Sequence, residues 1–405
     1  MNEERDTAPP GYPASIQSIR RKRPIASLLC SAIYFLITVP LALGDAVVTV
    51  GPYLQNVTPR SMVIMWETSV PVESHVVYWI AAPDKMDAVS PRLVMRHESL
   101  LGDLEPDTVY GYAVMLDGKE VFESTFRTAP ESPRSFRFVA YGDSRSNPQV
   151  HETVIEGIIN SHPEIVLHTG DLVGVGENYA SWAPEFFGPA RNLMHDTPMF
   201  PTLGNHEYSY SGRSWFSSLL ALPNNEQWFA FTYGNVRFIG LDTNVAFYPD
   251  SVQYRWFEAE LKSAASREAT WRVVYFHHSA FTASRYRDDS DVVQYLVPLM
   301  EAGDVDLVFS GHTHAYERYL HNGVSYIVTG GGGTFLYALV DDVEAPLRLA
   351  GSSVFHYCVV DVNVPGQSLT LSAHLTDGTP FDELTLTETV LDPNLPAELT
   401  NTPNE

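Results

Sequence analysis

The sequence predicts an all-β segment followed by a layered α/β domain, and three observations predict it. From residue 46 to about 129, short β-prone runs recur between Pro, Gly and Asp turn signals at β-sandwich spacing. From Phe136 onward the pattern changes to apolar strands alternating with helical stretches, which implies sheets covered by helices. Within that second part, five polar blocks each stand at the end of an apolar run. They are Asp143-Ser144-Arg145, Gly170-Asp171, Gly204-Asn205-His206-Glu207, His277-His278 and Gly311-His312-Thr313-His314.

In the first part, strands are predicted over 61–66, 74–80, 108–115 and 121–128, with Asp117-Gly118 as a hairpin turn. Trp66, Tyr110 and Tyr112 are expected in its core rather than on a ligand platform. Residues 129–135, with two prolines, read as a linker. The second part, 136–391, predicts strands over 136–141, 165–169, 199–203, 236–241, 273–276, 305–309, 325–328, 355–361 and 369–374. Helices are expected over 148–160, 181–195, 252–265 and 291–302, the last stopping at Gly303. The tail 392–405, rich in Pro, Asn, Thr and Glu, reads as disordered.

A chain of 405 residues that is 44% hydrophobic can build two domains with cores. The formal charge of −24 leaves no basic footprint, so no nucleic-acid partner is expected. Residues 1–44 read as a signal peptide or signal anchor. Arg20-Arg21-Lys22-Arg23 precedes an apolar run from Ile25 to Leu43, and the small residues Ala42 and Gly44 are spaced like a cleavage site. Export to a periplasm or the exterior is expected, with membrane attachment only if this segment is retained. One of the two cysteines, Cys30, lies in it; Cys358 is then left alone and is expected to be an inert buried thiol.

The polar blocks carry the chemistry. Strands of a parallel sheet read as continuous apolar runs, and the residues just past their carboxyl ends are where such sheets bind ligands. Asp, Asn and His are oxygen and nitrogen ligands of a catalytic divalent metal, and the lack of thiolate suits Zn, Mn or Fe. Asp171 has two oxygens with which to bridge two cations, and Asn205 offers a neutral amide oxygen. Of the paired histidines, His277 directly ends its strand and is the expected ligand, leaving His278 beside it. Gly330 to Gly333 lacks the Lys and Ser or Thr of a phosphate-binding loop and reads as backbone passing close to the site. The segment 279–290, with Arg285 and Arg287, is a candidate substrate-facing loop.

These blocks resemble those of the calcineurin-like metallophosphoesterase superfamily. With Gly51-Pro52-Tyr53-Leu54-Gln55, Met65-Trp66-Glu67 and the run Gly311 to Arg318, the layout from about residue 47 to 375 resembles the purple acid phosphatases. The segment Leu104 to Tyr110 resembles a corner of a fibronectin type III domain, with Trp66 as its core tryptophan. The resemblance implies a fibronectin type III-like β-sandwich over 45–129, a four-layer αββα catalytic domain and two divalent or trivalent metal ions (Fe, Zn or Mn). By position, Asp143, Asp171 and His314 would hold the first ion, and Asp171, Asn205, His277 and His312 the second. His206 would face the substrate phosphate, with Glu207 orienting its ring.

Two departures stand out. Where the wider superfamily has Asp-x-His, the third residue here is Arg145; where purple acid phosphatases have a Tyr three residues after the bridging Asp, this chain has Gly174. His151 and Tyr179 are the nearest candidates for the missing ligand. Arg145 has no lone pair to offer, so it would grip a phosphate oxygen or pair with a site carboxylate. The expected activity is hydrolysis of small phosphate monoesters by a metal-activated water at a dinuclear site. The alternatives are phosphodiesterase action, or an exported binding protein with a degenerate site.

Overall fold

The computed structural model describes residues 45–388 except 82, 209–214, 285–288 and 341–347. Residues 1–44, expected to be a signal peptide or signal anchor, the tail from 392, and Arg285 and Arg287 lie outside the described residues. No helix among the described residues is long and apolar enough to cross a membrane.

The first part comprises β1 (Val48–Thr58), β2 (Ser61–Trp79), β3 (Lys85–Leu101), β4 (Val109–Leu116) and β5 (Lys119–Arg127). The runs expected over 61–66 and 74–80 are the two halves of β2. The first half pairs with β1 and the second with β4, while β3 follows both. The five strands therefore form one connected antiparallel sheet rather than two separate ones. Register breaks between Glu67 and Ser74, the stretch of β2 that holds Pro71, a residue with no N–H to donate to a ladder. Trp66 is fully buried and stacks on His97 with centroids 4.5 Å apart. The Glu105 N–H donates to the Tyr110 hydroxyl at 2.8 Å, closing the corner before β4.

The second part contains β6 (Phe136–Tyr141), β7 (Ile165–His168), β8 (Met199–Pro201), β9 (Phe229–Tyr233), β10 (Val236–Gly240), β11 (Trp271–Tyr275) and β12 (Leu307–Ser310). It continues with β13 (Tyr316–His321), β14 (Val324–Thr329), β15 (Arg348–Ser352), β16 (His356–Asn363), β17 (Ser368–Leu375) and β18 (Pro380–Thr387). Two sheets result, ordered β18-β17-β16-β6-β7-β8 and β15-β13-β14-β12-β11-β10-β9. The central strands β6, β7 and β8 are parallel, as are β10, β11, β12 and β14.

The apolar runs are continuous because both faces of these strands are buried. Phe238, Tyr275 and Phe309 point into the core between the sheets, where Phe138 of β6 meets Phe238 edge-on at 5.1 Å. Their neighbours Ile239, Val274 and Val308 point the other way, onto Phe257, Leu296 and Met300 of the helical segments 252–261 and 292–302. Helix Pro148–Ser161 packs Val154, Ile155 and Ile158 into the core and lies against β16. The order is helix, sheet, sheet, helix.

The expected helices over 181–195 and 252–265 are interrupted, the second between Leu261 and Ala264. The stretch 181–195 breaks into Tyr179–Trp182, a π-helical turn at Ala183–Phe187 and Arg191–Met194, with Pro184, Gly188 and Pro189 punctuating it. Strands β9, β13, β15 and β18 escape the sequence pattern because they are antiparallel and border partly exposed positions, so their runs are shorter or mixed. The first sheet docks beside β8 through polar side chains. The Tyr53 hydroxyl donates to Leu219 O at 2.5 Å, Gln55 Nε2 to Met199 O at 3.2 Å, and the Tyr112 hydroxyl to His195 O at 2.7 Å.

Candidate metal centre

Five loops leave the carboxyl ends of β6, β7, β8, β11 and β12 on one side of the sheets, and they carry Asp143, Asp171, Asn205, His277 and the His312–His314 pair. Asp143, Asp171 and His312 have φ of 58°, 59° and 65°, the left-handed region that costs energy for a side chain and often marks functional loops. Gly170 has φ +95°, and a Cβ there would lie 2.6 Å from Gly204 N and 2.9 Å from His277 Nδ1, so only glycine fits. The Gly330 to Gly333 loop does run beside the site: a Cβ at Gly330 would meet Thr313 O at 2.2 Å and Asp143 Oδ2 at 2.9 Å.

Backbone carbonyls aim the imidazoles. His277 Nδ1–H donates to Thr169 O at 2.9 Å, His314 Nδ1–H to Phe335 O at 2.8 Å and His206 Nδ1–H to Gly174 O at 2.6 Å. A carbonyl only accepts, so each neutral ring turns an Nε2 lone pair toward the site. His277 Nε2 then lies 3.0 Å from Asn205 Oδ1 and 3.4 Å from Asp171 Oδ1. His312 Nδ1 lies 3.1 Å from the same amide oxygen and 3.3 Å from His277 Nε2. Thus His277 Nε2, Asn205 Oδ1 and Asp171 Oδ1 converge as acceptors, and His312 Nδ1, whose role depends on its tautomer, lies beside them. A cation resolves such an arrangement, and Asp171, Asn205, His277 and His312 fit one.

The opposite side of Asp171 is different. Asp143 Oδ1 is buried, has no hydrogen-bond partner and lies 3.5 Å from His314 Nε2, again two lone-pair atoms face to face. Asp171 Oδ2, however, accepts from Arg145 Nε at 3.0 Å, and the Arg145 backbone N–H donates to Asp171 O at 3.3 Å. Of the two roles open to Arg145, the structure shows the ion pair with a site carboxylate.

Neither candidate replacement ligand is in place. His151 is buried with Nε2 on the Tyr141 hydroxyl and Nδ1 on Glu185 O, and the Tyr179 hydroxyl donates to Glu67 of the first sheet. Beside Gly174, the space a side chain would enter holds Glu185 and the Ser146 hydroxyl, while Glu185 Oε2 accepts from Gly174 N and Ser146 N at 2.8 and 2.9 Å.

The expectation that Glu207 orients His206 is corrected. Its two oxygens instead accept from the backbone N–H groups of Asp171, Leu172, Val173 and Gly204, tying the β7 and β8 loops together. Sequence could not supply this partner set, nor the carbonyls that fix the rings, because backbone atoms are the same at every position. His278 receives 2.8 Å contact from Thr243 Oγ1 and sits 4.7 Å from the His312 ring.

Burial shapes the charges. It lowers His277 well below the usual histidine range, His278 to about 4 and His314 to about 3, keeping their lone pairs available for a cation. Burial, and then the Asp171 charge, raises Asp143. Burial also opposes ionisation of Asp171, but His277, His206 and Arg145 outweigh it and hold that carboxylate below its ordinary value.

Residues 136–316 match the family model of the calcineurin-like phosphoesterases. The chain's relatives include purple acid phosphatases. Purple acid phosphatase 15 of Arabidopsis thaliana is 26% identical over 301 residues, covering 62% of this chain and 56% of its own length. An uncharacterised Mycobacterium tuberculosis protein is 28% identical over 277 residues, covering 57% of this chain and 52% of its own. The solved structure of a purple acid phosphatase from yellow lupin (Lupinus luteus) seeds superposes with a TM-score of 0.73 at 18% identity, covering 85% of this chain and 74% of that one, which shows a shared fold. The chain spans about half the length of the curated relatives it matches first.

Proposed function

We propose that this chain is a metal-dependent phosphoesterase that hydrolyses small phosphate monoesters at a dinuclear site after export. The observation that carries the proposal is the convergence of potential ligand atoms of Asp171, Asn205, His277 and His312, at 3.0 to 3.4 Å, at the ends of parallel strands. A Zn, Mn or Fe ion held there would acidify water and offset phosphoryl charge.

The chain's own residues do the rest. Asp143 and His314 face a second position across Asp171, and Arg145 adds a fixed positive charge beside it. His206 is partly exposed, with Nδ1–H donating to Gly174 O and Nε2 3.8 Å from Asp171 Oδ2, and from there it would face the substrate phosphate. His278, next to His312, would contact the substrate.

The test is metal analysis and hydrolysis by the purified chain, stripped and reloaded with Mn or Zn, against mono- and bis-nitrophenyl phosphate. We expect metal-dependent turnover favouring the monoester, and loss of both metal and turnover in Asn205→Ala. Less than one ion per chain together with no hydrolysis would sink this reading in favour of a degenerate site; faster diester cleavage would make the enzyme a phosphodiesterase.

A further inference from the structure

The two positions flanking Asp171 are not equivalent, and the difference traces to Arg145. On one side, four side chains from four loops converge. On the other, Asp143 and His314 stand with Asp171 Oδ2, and that oxygen is already held by Arg145 Nε at 3.0 Å. The pair is enclosed, with side-chain exposure of 10% for Arg145 and 1% for Asp171, so water does little to screen it. A guanidinium cannot lose its proton to make room for an ion.

Among the described residues, the candidates for a replacement ligand are engaged elsewhere. Gly174 brings no side chain, Glu185 Oε2 is occupied by two backbone N–H groups, His151 has both nitrogens engaged elsewhere, and Tyr179 is turned to Glu67. Yet Asp143 Oδ1 is buried without a partner, and His314 faces it with a lone pair, so the position retains two donors aimed at a cation.

We infer that, granted the metal-dependent reading above, the site is built for one retained ion and one exchangeable ion, with Arg145 as the residue that weakens the second by holding Asp171 Oδ2. The retained ion belongs to Asp171, Asn205, His277 and His312. The exchangeable ion belongs to Asp143 and His314. Arg145 is a positioning residue: it acts through Asp171 and through its own charge.

Titration of the metal-stripped full chain with Mn(II), followed by calorimetry, elemental analysis after desalting and the Mn(II) paramagnetic resonance spectrum, tests this. The expected result is two steps, one ion surviving desalting with an isolated-ion spectrum, and a second binding at least about tenfold more weakly, on the scale that supporting contacts exert on metal affinity. Arg145→Ala should tighten the second step by about tenfold or more and leave the first unchanged. Arg145→His, which adds an imidazole two residues after Asp143, should tighten it further and give a coupled two-ion spectrum without metal excess. The retained ion reports that each variant is folded. Two ions of equal affinity in the unmodified chain would overturn the inference, as would a second step that neither variant changes. No ion bound at all would instead overturn the metal-dependent reading itself.

Discussion

Replacing Glu207 by Gln tests whether the metal loops are held by a buried carboxylate. Glu207 is fully buried; Oε2 accepts from Asp171 N at 2.9 Å and Gly204 N at 2.8 Å, and Oε1 from Leu172 N at 2.9 Å and Val173 N at 3.3 Å. Glutamine keeps the shape but turns an NH2 group against two of these donors, whichever way it is rotated. Two buried N–H donors are left without an acceptor at about 1–3 kcal/mol each, so the expected destabilisation is about 2–6 kcal/mol. That is a large part of the roughly 5–15 kcal/mol that holds a protein folded. Urea unfolding of the metal-free protein should show a lower midpoint at an unchanged slope. Because Asp171 and the Asn205 loop are what the carboxylate ties down, metal affinity should also fall by about 10–100-fold. A stability change under about 1 kcal/mol with unaltered metal affinity would refute the clamp.

Loaded with Fe(III), the protein should show no phenolate-to-iron absorption band in the visible spectrum, because Gly174 stands where a ligating tyrosine would and Tyr179 is bonded to Glu67. A purple product would mean that another tyrosine reaches the ion. Burial pushes Asp306 up to about 6, so its neutral form favours the folded state. The stability it contributes is complete below its unfolded value and is lost as pH rises through about 6. Asp306→Asn should therefore gain on the unmodified chain between pH 4 and 8, by at most about 3 kcal/mol before solvent screening; parallel stability curves would contradict this. Cys358 is buried in β16 and its thiol is pushed up to about 12, first by burial, so a thiol reagent should label it only as fast as the protein unfolds.

Much of the α/β part was legible in the sequence. The strand bounds for β6 and the parallel strands beside it follow from apolar runs buried on both faces, and Val274 and Tyr275 show that neighbours in one run feed two different cores. Edge strands such as β15 and β18 were not legible, because partial exposure leaves mixed sequences. In the first part, two predicted runs proved to be one strand bent near Pro71, since a proline ends a local pattern without ending a strand that pairs with different partners on either side.

For the candidate centre, sequence alone determined the residue types and their order: Asp143, Asp171, Asn205, His277, His312 and His314, each placed at the end of a strand by a pattern confined to a few neighbouring residues. It also exposed the two departures, Arg145 and Gly174. Only the tertiary structure decided which atoms meet. That Arg145 holds Asp171 Oδ2, that Glu207 binds backbone rather than His206, and that carbonyls of Thr169, Phe335 and Gly174 set the ring orientations depend on loops more than twenty residues apart in several cases. Such contacts involve backbone atoms or long-range partners, and no local pattern of side chains encodes them.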